Sequence, residues 1–91
     1  LDRVGRNGGE EFLVLLPDTE LEEAAEVAER VRIAVSRLVI EGVPEDHPIH
    51  VSIGCAEYRA EDDNLGELIR RADEAMYAAK LAGRNRVVKA A

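Results

Sequence analysis

The sequence predicts an α/β sandwich, a fold in which helices pack on a β-sheet. Two segments carry apolar residues at helical spacing, and apolar or alternating segments typical of strands lie before, between and after them. The resulting order is β-turn-β-α-β-α-β, and strands interleaved with helices are typical of folds that layer helices on a sheet. The 91 residues are enough for one domain at most, so we expect a single small core.

A hairpin and a helix are predicted in the first half of the chain. Asn7-Gly8 is a strong hairpin signal, and the apolar run 12–16 is expected to form the returning strand. Thr19 and Glu22 form a capping-box pattern at the start of the first helix. The apolar stripe of that helix has the spacing of one buried face: Leu21, Ala24, Ala25, Ala28, Val31, Val35 and Leu38.

A strand, a second helix and a closing strand are predicted in the second half. Residues 50–58 alternate in polarity, and the small side chains on one face indicate that a helix or another backbone packs closely there. These small residues are Ser52, Gly54 and Ala56. Asn64 with Glu67 predicts the start of the second helix, Gly83 is its expected C′ residue, and 86–89 is a short strand. The apolar stripe of this helix is Leu65, Leu68, Ile69, Ala72, Ala75, Met76 and Ala79.

The charge balance excludes some classes of function. Twelve Lys and Arg against nineteen Asp and Glu give a net charge of −7, which argues against a nucleic-acid-binding protein and against a polybasic membrane anchor.

The lone Cys55 cannot form an internal disulfide, so we expect a reducing, cytoplasmic setting. No apolar run approaches the roughly 20 residues that span a bilayer, and we expect no membrane contact by this segment.

Two glycines, Gly8 and Gly9, are followed directly by two carboxylates, Glu10 and Glu11. Glycines at a hairpin tip can adopt positive φ and let the phosphates of a ligand approach the backbone. Carboxylate oxygens are the hard ligands that Mg²⁺ prefers, and Mg²⁺ is commonly held by one or two of them together with substrate phosphates. A glycine-rich hairpin with two solvated glutamates would have the same spacing, so the pattern alone leaves both interpretations open.

Positive charge gathers near the end of the second helix, against the negative charge of the whole chain. Lys80 and Arg84 lie on either side of a predicted tight turn at Gly83. Cations at a helix C-terminus are stabilised by the helix dipole whether or not they bind a ligand. A Lys and an Arg around such a turn could also hold phosphates, the Arg through two parallel hydrogen bonds. Both interpretations stay open at this point.

The segment 8–12, GGEEF, closely resembles the signature of the GGDEF domain of bacterial diguanylate cyclases. Further segments resemble the later blocks of that family, in order and at suitable spacing. These blocks are AERVR (28–32), VSIGCA (51–56), RADEAMYAAK (71–80) and GRNRV (83–87). Because the resemblance runs through the whole chain, the sequence is identified as a member of this family.

The resemblance implies a catalytic domain with a palm-like sheet, related to nucleotidyl cyclases and polymerase palm domains. Members of the family are transferases of bacterial second-messenger signalling that join two GTP molecules into cyclic di-GMP and release pyrophosphate. They use Mg²⁺ or Mn²⁺ and work as homodimers, in which each 3′-hydroxyl attacks the α-phosphate of the GTP on the opposite domain. In such phosphoryl transfer, positioning and neutralisation of charge supply most of the rate.

The resemblance also implies roles for individual residues. Gly8 and Gly9 would let GTP approach the hairpin. Glu11 would bind the metal ion, and Glu10 would assist deprotonation of the attacking hydroxyl or share the metal. The triphosphate would be held by two cations, Lys80 and Arg84.

A product-inhibition site and a domain boundary are implied as well. Asp2 stands at the Asp of the family's RxxD motif, and Arg30 matches a second arginine of that allosteric site. A further metal-binding Asp and the guanine-reading residues lie upstream of the hairpin in the family. We therefore expect residues 1–91 to form the second half of the domain and to be inactive by themselves. A non-catalytic module that senses GTP or cyclic di-GMP and a structural or dimerising remnant are the alternatives.

Overall fold

A computed structural model of the chain describes residues 3–6, 12–16, 19–44, 49–59, 62 and 64–91. The elements in these ranges are β1 (Arg3–Arg6), β2 (Phe12–Leu15), α1 (Leu21–Ser36), β3 (Ile53–Cys55), α2 (Leu65–Leu81) and β4 (Val87–Lys89). Their order is the predicted one, which confirms the α/β class. Neither of the described helices is both long and apolar enough to cross a membrane.

The first two strands form the predicted antiparallel pair. Arg3 lies opposite Leu15, and Arg6 lies opposite Phe12. The pairing confirms that the chain reverses between β1 and β2. Residues 7–11, on which the hairpin turn was predicted, lie outside the described residues.

The second pair of strands is parallel, with Ile53 opposite Val87 and Cys55 opposite Lys89. Parallel neighbours need a crossover connection, which α2 provides. Both helices contact both strands of this pair, so β3 and β4 form the sheet on which the helices pack. β3 is shorter than the predicted strand over 50–58, since ladder pairing covers 53–55 only.

Gly54 on β3 lies directly against the backbone of α2. A methyl group built on Gly54 would overlap the Ala72 carbonyl oxygen and the Met76 amide nitrogen, and would lie 2.9 Å from the Ala75 carbonyl carbon. This contact confirms the close approach predicted from the small residues of this strand. The buried apolar residues of the described chain are correspondingly small: Ala28, Cys55, Ala75 and Ala79. Helix and sheet therefore pack through near-backbone contact rather than through large side chains.

The predicted N-cap is confirmed for α2 but not for α1. At α2, the Asn64 side chain accepts a hydrogen bond from the Glu67 N–H at 3.1 Å, as predicted. At α1, the N-cap is Glu20 rather than Thr19 of the predicted capping box, and the Glu20 side chain makes no capping bond. The Leu21 N–H instead donates to Glu57 Oε1 at 2.8 Å. The start of α1 is thus capped by a residue 36 positions away in sequence.

Three large residues of the predicted apolar stripes lie at the surface. Val31 and Leu38 of the first stripe and Leu65 of the second are each about half exposed. Leu38 lies beyond the end of α1, and Leu65 is the first residue of α2, so neither is held over the sheet. The buried face of each helix is therefore narrower than the predicted stripe.

An ion pair connects Asp62, which lies between β3 and α2, to the second helix. Arg71 donates to both carboxylate oxygens of Asp62, at 3.2 and 2.5 Å, and to the Glu57 carbonyl at 2.6 Å. The Arg59 N–H donates to Asp62 at 2.8 Å. The hydrogen bonds from the Arg71 side chain and the Arg59 backbone hold the pKa of Asp62 below its ordinary value. Because Glu57 also caps α1, this cluster connects both helices.

Asp62→Asn is expected to lower stability at neutral pH and to make stability less sensitive to acid. The carboxyl has a lower pKa in the folded than in the unfolded state, so its contribution is complete above the ordinary value of 3.8 and is lost as the pH falls through the folded-state value. Denaturant midpoints measured from about pH 7 to about pH 3 should therefore decline less steeply for Asp62→Asn than for wild type. Asp73→Asn, at an exposed carboxylate of α2, should keep the wild-type midpoint at neutral pH. Equal slopes for Asp62→Asn and wild type would contradict this role.

Candidate functional site

The C-terminal end of α2 leads into a turn built from three successive residues with positive φ. They are Gly83 at 124°, Arg84 at 63° and Asn85 at 48°. Gly83 is the C′ residue, as predicted, and this conformation is ordinary for glycine but uncommon for arginine. The Arg84 N–H donates to the Ala79 carbonyl at 2.9 Å. The backbone of Arg84 is therefore hydrogen-bonded to the last turn of α2, which also carries Lys80.

Hydrogen bonds from neighbouring elements hold this turn. The Asn85 N–H donates to Ser52 Oγ at 3.2 Å, which ties the turn to the residue before β3. Arg86 Nε donates to the Arg84 carbonyl at 3.1 Å. The Ile53 N–H then donates to the Arg86 carbonyl at 2.9 Å, where the β3–β4 pairing begins. The N–H and the carbonyl of the Arg84 backbone are thus both hydrogen-bonded.

Arg32 of α1 contacts the same turn and was not singled out from the sequence. Its Nη1 donates to Asn85 Oδ1 at 3.0 Å, and its Nε donates to Glu29 Oε1 at 2.9 Å. The hydrogen bond from Arg32 lowers the pKa of the Glu29 carboxyl and raises that of Arg32 itself. The i,i+3 spacing of Glu29 and Arg32 is a signal that could have predicted their pairing. No spacing rule links Arg32 to Asn85, which lies 53 residues further on.

Cationic side chains gather at this helix end and in the turn that follows it. Lys80 is half-buried, whereas Arg84 and Arg86 are exposed. Lys89, which belongs to the same basic stretch of sequence, instead pairs with Glu22 at 2.9 Å. The site is therefore a local one, at the end of α2 and in its following turn. Ammonium and guanidinium groups in this arrangement can bind phosphate oxygens.

The other predicted site residues are only partly described. Gly8, Gly9, Glu10, Glu11 and Asp2 lie outside the described residues. The strands on either side of residues 7–11 are paired up to Arg6 and Phe12. Arg30 lies on an exposed part of α1. Within the described ranges, no three Asp, Glu, His or Cys side chains form a group that could hold a metal ion.

The sequence profile of the family described as "Diguanylate cyclase, GGDEF domain" matches residues 1–86. The chain belongs to the GGDEF family. Diguanylate cyclase DgcM of Escherichia coli K12 is 45% identical over 89 residues, which cover 98% of the chain and 21% of DgcM. The GGDEF chain thus spans about a fifth of the length of the curated relatives that it matches.

Solved structures of the family share the fold of this GGDEF chain. The active GGEEF domain of a diguanylate cyclase from Vibrio cholerae superposes with a TM-score of 0.91 at 31% identity, over 100% of the chain and 57% of that protein. The coiled coil and GGDEF domain of DgcB from Caulobacter crescentus, in complex with c-di-GMP, gives a TM-score of 0.86 at 33% identity, over 98% of the chain and 48% of that protein. The palm-like fold predicted from the family resemblance is therefore confirmed.

Proposed function

We propose that the chain is part of a diguanylate cyclase that condenses two GTP molecules into cyclic di-GMP and releases two pyrophosphates. The observation that carries the proposal is the turn after α2, which brings Lys80 and Arg84 to one helix end in a chain that also carries GGEEF at 8–12. Membership of the GGDEF family supports it. So does the likeness to the active GGEEF domain from V. cholerae, which is named for the same motif.

In the proposed reaction, the 3′-hydroxyl of each GTP attacks the α-phosphate of the other, and pyrophosphate leaves. Lys80 and Arg84 hold the triphosphate and neutralise the charge that develops on the departing pyrophosphate. Glu10 assists removal of the hydroxyl proton, or shares the metal ion with Glu11. Gly8 and Gly9 leave room for the nucleotide beside the hairpin backbone.

The donor set at Glu10 and Glu11 fits a hard divalent cation, because both residues offer carboxylate oxygens. We infer that these two residues hold Mg²⁺ or Mn²⁺ together with the phosphates of GTP. Such an ion polarises phosphoryl oxygens and stabilises the negative charge of the transition state. The positive charges of the ion, Lys80 and Arg84 would attract the phosphates locally, although the net charge of the chain is −7.

Catalysis in this proposal needs two domains and more than these 91 residues. Each GTP sits on one domain of a homodimer and reacts with the GTP on its partner. Because the chain covers 57% of the V. cholerae protein, we propose that it supplies the second part of the domain and is inactive alone. Asp2 and Arg30 are proposed to bind cyclic di-GMP as an inhibitory product, in a family in which DgcB was solved in complex with c-di-GMP.

Arg84→Ala and Lys80→Ala are each expected to weaken GTP binding by about tenfold to a hundredfold. Hydrogen bonds to charged groups contribute about 1.5–3 kcal/mol, and each 1.4 kcal/mol changes affinity tenfold. The Michaelis constant for GTP of the intact protein measures the effect. Arg70→Ala removes the same charge from α2 at an exposed position paired with Glu67, and should leave the constant unchanged. If Lys80→Ala and Arg84→Ala both kept the wild-type Michaelis constant for GTP, the proposal that these residues hold the triphosphate would be contradicted.

Pyrophosphate release from GTP by the intact protein tests the proposed reaction class. We expect release in the presence of Mg²⁺ and none after chelation of the metal. Binding of GTP without release of pyrophosphate would contradict the proposal and favour a sensing module. Absence of both binding and turnover in a folded sample would favour a structural or dimerising role.

A further inference from the structure

We propose that Arg32 and Asn85 are positioning residues for Arg84. They would hold the turn 83–85 in the conformation that presents the Arg84 guanidinium to the triphosphate. The inference rests on the proposed function, since it concerns how the phosphate-binding arginine is fixed in place. It adds Arg32, on a different helix, to a site otherwise built from the end of α2.

The backbone of the turn needs outside support. Arg84 and Asn85 both adopt positive φ, at 63° and 48°, although neither is glycine. Left-handed backbone costs energy for residues with a Cβ, and it persists where surrounding contacts hold it. Asn tolerates this region better than Arg does, because its short polar side chain can hydrogen-bond locally. Here that side chain bonds to another helix instead.

Asn85 connects the turn to two separate elements. Its N–H donates to Ser52 Oγ at 3.2 Å, and its Oδ1 accepts from Arg32 Nη1 at 3.0 Å. The backbone N–H and the side-chain oxygen of Asn85 are therefore bonded to residues outside α2. Since Arg84 immediately precedes Asn85, these two bonds limit how far the Arg84 Cα can move.

Arg32 is itself held firmly enough to act as a support. Its guanidinium pairs with Glu29 through Nε at 2.9 and 3.1 Å and through Nη2. The Arg32 side chain is 21% exposed, whereas that of Glu29 is 44% exposed, so Arg32 is the more shielded partner of the pair. The planar guanidinium allows Nη1 to reach Asn85 while the other nitrogens face Glu29. A lysine at position 32 would have to make both contacts from one ammonium nitrogen, without the planar fork by which the guanidinium spans them.

The test measures affinity for a GTP analogue with a methylene bridge between the α- and β-phosphates, in the intact protein with Mg²⁺. Arg32→Ala and Asn85→Gly are each expected to weaken binding about three- to tenfold, the range of one hydrogen bond. Asn85→Gly removes the acceptor but still permits positive φ, so its effect reports the bond to Arg32 rather than backbone strain. Arg37→Ala, at the exposed C-cap of α1, is the charge-matched control and should bind as wild type.

A double-mutant comparison separates positioning from general damage to the structure. If Arg32 acts through Arg84, Arg32→Ala in an Arg84→Ala background should cause no further loss of affinity. Hydrogen–deuterium exchange of a peptide spanning 82–87 should be faster in Arg32→Ala, with the preceding part of α2 unchanged. If Arg32→Ala fails to fold, the same two measurements are made on Asn85→Gly, for which the same results are expected.

The outcomes are distinguishable. Suppose that Arg84→Ala weakens binding, whereas Arg32→Ala and Asn85→Gly bind the analogue as wild type does. This result would overturn the positioning role and leave the proposed function standing. Additive losses in the double variant would also overturn it, since Arg32 would then act independently of Arg84. Wild-type binding by Arg84→Ala would overturn the triphosphate role of Arg84 and the positioning role with it.

Discussion

Gly54→Ala is expected to destabilise the protein by about 3 kcal/mol or more. Overpacking of a dense core typically costs 1–3 kcal/mol, and here the new methyl group meets backbone rather than a side chain that could turn away. It would overlap the Ala72 carbonyl oxygen and the Met76 amide nitrogen, both within the hydrogen-bonded interior of α2. The helix must therefore shift as a whole or lose hydrogen bonds.

Urea denaturation of the intact protein measures this effect as a lower midpoint. The matched control is Gly66→Ala in the first turn of α2, where the added methyl group meets the Asn64 side-chain oxygen at 2.9 Å. That oxygen also caps α2, and the higher helix propensity of alanine offsets the cost of disturbing the cap, so the net effect should stay within about 1 kcal/mol. Equal midpoints for Gly54→Ala and wild type would show that α2 does not lie against β3 as described.

The same substitution is expected to weaken GTP binding in protein that still folds. Lys80 lies on the last turn of α2, and the turn that carries Arg84 follows it, so a displacement of the helix moves both cations. The close contact at Gly54 therefore supports the site as well as the core.

Glu10→Gln/Glu11→Gln is expected to lower the rate of GTP turnover by about 100-fold or more. The double change removes both carboxylates that we propose to hold the metal ion, and metal ions contribute several kcal/mol of transition-state stabilisation. Each 1.36 kcal/mol corresponds to a tenfold change in rate. The turnover number at saturating GTP is the quantity to compare, because lost metal binding affects the chemical step.

A control with the same change in charge is available on α1 and the loop after it. Glu23→Gln/Glu41→Gln also removes two negative charges, from exposed positions, and should keep the wild-type turnover number. A turnover number in Glu10→Gln/Glu11→Gln within a few-fold of wild type would contradict the metal-binding role. The unfolding midpoints of both double variants confirm that the compared samples are folded.

Local patterns predicted most of the fold. Helical spacing located both helices, Asn64 and Gly83 marked the ends of α2, and the small residues around Gly54 predicted a close helix–strand contact. Each of these predictions used residues within about one or two helical turns of each other. Their physical causes, such as capping and steric exclusion, are therefore readable along the chain.

Features that depend on distant partners were missed. The acceptor that caps α1 comes from Glu57, so the capping box at Thr19 placed the N-cap one residue too early. The contact between Arg32 and Asn85 joins residues that are far apart in sequence, and no spacing rule links them. The positions of Lys80 and Arg84 at one helix end were predictable, whereas the bonds that hold the turn were not.

The most direct test of the account is the identity of the product that the intact protein forms from GTP and Mg²⁺, resolved by chromatography and mass spectrometry. The account predicts cyclic di-GMP, with two pyrophosphates released for each molecule formed, and almost none from Glu10→Gln/Glu11→Gln. A folded, Mg²⁺-loaded protein that binds GTP and forms no cyclic di-GMP would contradict it.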